Sequence, residues 1–555
     1  MTEIQPDATV AGGESIRYDA IVVGAGIAGM YSLYRFRELG LSVRVFEKGG
    51  GVGGTWYWNR YPGARCDVES WDYSYSFSPE LDQEWEWTER YPTQPELERY
   101  FNHVADRFDL RKDIQFDTRV DAAHYDDETN LWRLRTSDGG SSSARYLMMA
   151  SGGISELNQP SFEGQHTFAG EAHHTARWPK EGVDFRGKRV GVIGTGSTAV
   201  QAIPQIAKDA EHLYVFQRTA QYAVPAQNHP LDPEVAQELK KQYPERRALA
   251  RTTSNGLARI PANRSALEVD EETRQEAFEE SWQRGGAGYT TTFNDTLVSE
   301  EANAYAADFA REKIRQRIND PEVAEKLLGR YHFGTKRLII DIDYFETYNR
   351  DNVTLVDIKE SPIEEIAPSG IRTKDAEYDL DIIVFAIGFD GMTGALFAID
   401  ILGSGGILLR DKWADGPHTY LGLMTSGFPN LFTITGPGSP AVLSNVIVSI
   451  EQHVDWITDL LRSTRDRGLD RIEPSPAAEA AWTDHVNELA GKTLLPKADS
   501  WWNGANIPGK RRGITMYVGG VGNYRKKCDE VAANGYEGFV LTASETHEDI
   551  ASVES

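Results

Sequence analysis

The chain has 555 residues, with 58 Lys and Arg against 84 Asp and Glu, for a formal net charge of −26. A surface this acidic repels phosphate backbones and anionic membranes, which argues against nucleic acid or a lipid surface as partner. The length exceeds what one hydrophobic core sustains, so two or three domains are expected.

In chain order, residues 1–17 have neither a basic n-region nor an apolar h-region, so they do not read as a signal peptide. They and the tail 543–555 are expected to be disordered. No apolar run approaches the roughly 20 residues that cross a bilayer. Tyr18–Val23 reads as a strand, followed by Gly24-Ala-Gly26-Ile-Ala-Gly29, a helix through Glu38, and a second strand ending at Glu47. This is a dinucleotide fingerprint: glycines for the tight turn and close pyrophosphate approach, a helix N-terminus for the phosphates, and an acid for a ribose hydroxyl.

The pattern recurs from Lys188. A strand through Ile193 leads into Gly194-Thr195-Gly196-Ser197-Thr198-Ala199, a helix to Lys208, and a strand ending in Gln217-Arg218-Thr219. An acid at that place suits a free 2′-hydroxyl, whereas a cation accommodates a 2′-phosphate. The first unit therefore reads as FAD-binding and the second as NADP-binding. Tyr146–Gly152 and Asp381–Asp390 look like strand ends where the chain crosses between the units. The predicted fold is α/β, with an FAD-binding part over 18–155, an NADP-binding part over 156–384, and a second FAD-binding part over 385–542. A helical insertion at about 228–332 carries many Glu, Arg and Lys, read as a solvated face. Cys66 and Cys528 lack C-x-x-C spacing, so no metal site and no redox dithiol is expected, and a reducing cytoplasm suits the chain.

Between the two glycine turns runs Phe168-Ala-Gly170-Glu-Ala-His-His174-Thr-Ala-Arg-Trp178-Pro179, which fits F-x-G-x-x-x-H-x-x-x-W-P. Further signatures are Gly53-Gly54-Thr55-Trp56 through Asp67, then Gly334-Thr-Lys336-Arg337, and Ser500-Trp501-Trp502-Asn503 through Lys510. With these motifs the chain resembles the Baeyer–Villiger monooxygenases over nearly its whole length, closest to the phenylacetone and steroid monooxygenase branch. The resemblance implies an enzyme that uses FAD, NADPH and molecular oxygen to convert a hydrophobic ketone into an ester or lactone, with sulfoxidation as a side activity. A flavin C4a-peroxyanion would attack the ketone and give a Criegee adduct. Both are anions, so a fixed cation in a water-excluding site is required, and arginine suits it.

The resemblance assigns that role to Arg337, oriented by Asp67. It implies FAD contacts from Gly24, Gly26, Gly29, Glu47, Lys48, Gly54, Thr55, Trp56, Asp67 and Tyr73. For NADP it implies Gly194, Thr195, Gly196, Ser197, Thr198, Gln201, Arg218, Thr219, Lys336, Arg337 and Trp501. Ala441, Val442 and Leu443 would shape the ketone pocket. His174 and Trp178 are read as structural, coupling the domains. A monomer or weak homodimer is expected. The competing readings are a flavin N- or S-monooxygenase, a disulfide reductase, which the cysteine spacing disfavours, and a degenerate binding protein.

Overall fold

The structure, a computed structural model, describes residues 16–260 and 262–543. Residues 1–15 and 544–555, most of the expected disordered ends, lie outside them. Ile16 and Arg17 correct the N-terminal expectation: they extend the first strand, opposite Ser142 and Ser143.

Two parallel-cored sheets organise the chain. The first runs Asp400–Leu402, Val120–Asp126, Leu131–Thr136, Ser141–Met149, Ile16–Val23, Val43–Phe46, Ile114–Gln115, with Leu431–Thr433 also paired to Ser141–Met149. Ala20, Ile21 and Val22 are fully buried, as expected of a strand covered on both faces. The turn behind it demands glycine. Gly24 has φ +102°, and a Cβ there would stand 2.7 Å from the Ala150 carbonyl oxygen. Gly29 lets the helix Ile27–Glu38 press onto the turn, since a Cβ would sit 1.8 Å from the Gly24 oxygen.

The second sheet is fully parallel, in the order Val353–Asp357, His212–Gln217, Arg189–Ile193, Ile382–Phe385, Glu171–His174. The helix Ser197–Asp209 buries Val200, Ile203 and Ile206 against it. The Phe168–Pro179 run forms the edge of this sheet: His173 pairs with Val384 and His174 with Phe385. His174 Nδ1 accepts from the Ala176 N–H at 3.1 Å and so caps the following 3-10 turn. Trp178 is buried between His173 and Phe185.

The chain passes between the sheets twice, and the two passes lie side by side. Leu157 bridges Phe389 in antiparallel fashion, Asn158 N–H donates to the Gly388 oxygen, and Asp390 N–H donates to the Glu156 oxygen. The segment between Asp232 and Lys326 is helical: Pro233–Lys241, Tyr243–Ala250, Glu271–Arg284, Glu300–Arg315 and Pro321–Lys326. Asp232, Asp270, Ser299 and Asp320 cap four of these helices.

The insertion's charged face is not wholly solvated, which corrects the sequence reading. Lys240 and Arg247 are buried. Lys240 donates to Glu86 and to the Gln83 carbonyl. Arg246 binds both oxygens of Asp72 at 3.0 Å, and Arg247 reaches Asp82 at 2.9 Å. The insertion thus docks on the first unit through paired charges, a partner arrangement that lies about 160 residues away in the chain and leaves no local pattern.

Candidate active site

A single cavity of about 840 Å³ joins the two glycine turns. Its wall includes Gly24, Gly26, Glu47, Lys48, Gly54, Thr55, Trp56, Asp67 and Tyr73 from the first unit. From the second unit and its neighbours come Gly194, Thr195, Gly196, Ser197, Thr198, Gln201, Arg218, Thr219, Lys336, Arg337 and Trp501. Gly29 stays behind the wall as a packing residue.

Both turns are shaped for phosphates. The helices Ile27–Glu38 and Ser197–Asp209 begin at Gly26 and Gly196 with no side-chain cap, leaving first-turn N–H groups for an anionic ligand. At the end of strand Val43–Phe46, Glu47 accepts N–H bonds from Ala25 and Gly49, each at 2.7 Å. Burial raises its carboxyl above the usual range and these two donors oppose the rise. A carboxylate accepts about four hydrogen bonds, so lone pairs remain for ribose hydroxyls. At the other turn, Lys336 stands 4.7 Å above the Tyr331 ring. Burial lowers its ammonium pKa; Asp499 counters this, while Arg218 and Lys359 lower it further. Cations gathered at one place fit a 2′-phosphate. The residues present therefore fit FAD at the first turn and NADP at the second.

Gln201 ties the units together as well as lining the cavity. Its Oε1 accepts from Tyr61 Oη at 2.8 Å and its Nε2 donates to the Arg65 carbonyl at 3.1 Å. Tyr61 falls inside the Gly53–Asp67 signature but carries no role of its own there, because nothing in its local pattern marks a contact across 140 positions.

Arg337 is held on two sides. Nε donates to Asp67 Oδ2 at 2.6 Å and Nη2 to Asp67 Oδ1 at 2.7 Å, a bidentate pair. Nη1 donates to the Val442 carbonyl at 3.0 Å. The Asp67 carboxylate beside it pushes the guanidinium pKa further above its ordinary value, against the opposing effect of burial. A third of the side chain is still exposed, and that surface faces the cavity.

Of the three residues expected to shape the ketone pocket, only Val442 lines the cavity. Ala441 is fully buried, with φ +43°, and Leu443 packs with it against Trp502 and Met516. The turn Ala441–Leu443 buries Ala441 and leaves Val442 and Leu443 half-buried, with Val442 reaching the cavity. Trp501 faces the cavity and lies against Gly391, whereas Trp502 is the packed member of the pair. His174, Phe168, Gly170, Trp178 and Pro179 are all absent from the cavity wall.

A family profile described as "Pyridine nucleotide-disulphide oxidoreductase" matches residues 21–303. A Baeyer-Villiger monooxygenase from Pseudooceanicola batsensis is 45% identical over 530 residues, covering 94% of this chain and 96% of that protein. The chain belongs to the Baeyer–Villiger monooxygenases. The solved structure of an oxidized steroid monooxygenase bound to NADP is 52% identical, with a TM-score of 0.92, covering 95% of this chain and 99% of that one. A phenazine N-monooxygenase from Lysobacter antibioticus is 44% identical over 533 residues, covering 95% of this chain and 98% of that protein. This monooxygenase is a two-Rossmann enzyme whose cofactors are FAD and NADPH. Dithiol chemistry, which the broad profile name suggests, has no seat here. Cys66 and Cys528 are free and buried, and burial pushes the first thiol well up and the second to about 12.

Proposed function

We propose that this monooxygenase inserts one atom of O2 beside the carbonyl of an uncharged, hydrophobic ketone, giving an ester or lactone while NADPH is oxidised and water is released. The observation that carries the reading is the Asp67–Arg337 pair, seated in the wall of the cavity shared by both glycine turns. FAD, when bound, supplies oxygen activation, and NADPH supplies the hydride.

The chain's own residues do the rest. Arg337 has five N–H donors, and the three hydrogen bonds to Asp67 and Val442 leave two. Those two are free to stabilise an oxyanion where negative charge develops on the substrate. Asp67 fixes the plane of the fork. Its bidentate grip prevents the guanidinium from swinging away, and its charge keeps the pair neutral overall until an anion arrives. Val442, Val446 and Ile450 give the wall apolar surface suited to a ketone without charge. Trp501, on the cavity wall, would help hold the nicotinamide, and with Tyr73 it reduces access of water. Lys336 and Arg218 select the 2′-phosphate.

The domain limits proposed from the sequence, 18–155 and 385–542 for FAD and 156–384 for NADP, move to 16–155, 386–542 and 156–385, because Ile16–Val23 and Ile382–Phe385 are each one strand of their sheet. Among the described residues no helix is long and apolar enough to cross a membrane. A cytoplasmic location, with which two free buried thiols agree, and a monomer or weak homodimer are part of the proposal, checked by fractionation and sedimentation. Heteroatom oxidation is the second activity in view, because a phenazine N-monooxygenase is among the similar proteins.

The deciding experiment replaces Arg337 with Ala and follows flavin reduction and products separately on a panel of linear, cyclic, aromatic and steroid ketones plus a phenazine. Reduction by NADPH should survive, and ester formation should fall about 10²–10³-fold, the cost of removing an oxyanion donor. Ester formed at the wild-type rate would overturn the assignment.

A further inference from the structure

The helix Val446–Asp466 carries three consecutive polar residues that are all buried: Glu451, Gln452 and His453. Glu451 accepts from the Ser76 N–H at 2.6 Å and from its hydroxyl. His453 is fully buried and its Nδ1 accepts from the Thr435 N–H at 3.0 Å. Because Nδ1 is the acceptor, Nε2 carries the proton; it has no hydrogen-bond partner and lies in the aromatic surroundings of Tyr524, with ring centroids 5.3 Å apart.

Thr435 holds an unfavourable conformation. It is β-branched yet has φ +50°, a region such residues avoid unless their surroundings enforce it. It follows the strand Leu431–Thr433 at its carboxyl end, the end where α/β sheets bind ligands, and it lines the cavity beside Ile434. From Thr435 the chain runs to Ser444, offering the Val442 carbonyl to Arg337 on the way. Asn445 closes the segment by donating to the Asp72 carbonyl at 2.5 Å and capping the long helix.

We infer that His453, through the hydrogen bond it accepts from Thr435, sets the course of the 435–444 segment and so the aim of Arg337. It is a positioning residue: it touches neither substrate nor the reacting atoms. Without an acceptor at that point the Thr435 N–H would be buried and unpaired, and the backbone would relax toward ordinary φ. The Val442 carbonyl, seven residues on, would shift with it. Misaimed, Arg337 would let reducing equivalents leak: NADPH, O2 and a proton would yield NADP+ and H2O2 instead of ester and water. Burial holds the imidazole pKa down to about 3, so the ring stays a neutral acceptor.

This inference rests on the role proposed for Arg337, and Arg337→Ala tests that role alone. The test here compares His453→Leu, which keeps bulk but removes the acceptor, with His453→Asn, whose Oδ1 stands close to the place of Nδ1. Holoenzyme of each is assayed for flavin reduction, for peroxide released per ester formed, and, without substrate, for the visible absorption and circular dichroism of the bound flavin. Leu should leave reduction within about twofold, raise the peroxide-to-ester ratio about tenfold or more and shift the flavin spectrum, while Asn stays within about threefold of wild type on the ratio. Should Leu fail to fold, His453→Gln, which displaces the acceptor by one methylene, takes its place with the same expected leak. A Leu or Gln variant as tightly coupled as wild type overturns the inference. So does an Asn variant that leaks as Leu does, since ring packing rather than the hydrogen bond would then be what matters.

Discussion

Lys336 and Arg337 are neighbours in sequence, and their surroundings treat their charges in opposite ways. Asp67 reinforces the Arg337 cation, while burial weakens that of Lys336. Lys336 therefore loses its proton at a lower pH than an ordinary lysine. The phosphate contact proposed for it would be present below that depressed pKa and lost as pH rises through it. NADP+ affinity should begin to weaken at a lower pH than the roughly 10.4 at which free lysine titrates, and Lys336→Arg should abolish this dependence because guanidinium stays charged. Titration calorimetry across pH checks it, and a flat wild-type profile would refute it. His174 shows how a chemically suggestive residue can be structural. It caps a turn and misses the cavity wall. His174→Asn, which keeps an acceptor for the Ala176 N–H, should leave the rate of ester formation within about threefold. Trp178→Ala, which empties a core site, should cost about 3–5 kcal/mol; paired kinetics and denaturation of the two variants decide this.

Among the elements, the insertion helix Tyr243–Ala250 carries the clearest energetic consequence. Arg247 is buried, Asp82 is half-buried with its side chain only 8% exposed, and the two pair at 2.9 Å. Removing one member leaves the other charge buried without its partner, a loss of about 3–5 kcal/mol. Arg247→Ala should thus lower the first unfolding transition in urea, and adding Asp82→Ala should restore part of the loss. Strictly additive effects of the two changes would show that the pair is uncoupled. This contact also marks a limit of legibility. The helical character of 233–326 was legible in its runs of Glu, Arg, Lys and Ala, and the caps at Asp232, Asp270, Ser299 and Asp320 that start four of the helices are local as well. Which of their charges would be buried depends on a face presented by residues 72–86, and no spacing rule reports on that. The same holds for the turn Ala441–Leu443. The resemblance pointed to a pocket there, but the positive φ of Ala441, which stands fully buried between the pocket segment's neighbours, has no glycine to announce it.

At the scale of the whole molecule, the two nucleotide folds were readable because each compresses strand, glycine turn, helix and acid or cation into about thirty residues. The pairing of Asp67 with Arg337 spans 270 positions and was readable only through resemblance. The cavity lies between the sheets, so cofactor binding and folding are linked. FAD at a hundred times its dissociation constant should add about 2.7 kcal/mol to stability by mass action. Stripping FAD should lower the melting temperature, and re-adding it should restore the value; an unchanged melting curve would mean that the cavity is held open by protein contacts alone. The double connection between the sheets also constrains how the halves can shift. Two antiparallel strands stitched at Leu157–Phe389 and Asn158–Gly388 resist shear and stretch but yield to twist. A turn of one half against the other would then run about a single line, as a door does about its pin. Such a turn would have to part the Tyr61–Gln201 contact and the Arg246–Asp72 and Arg247–Asp82 pairs, which latch the second unit and its insertion onto the first.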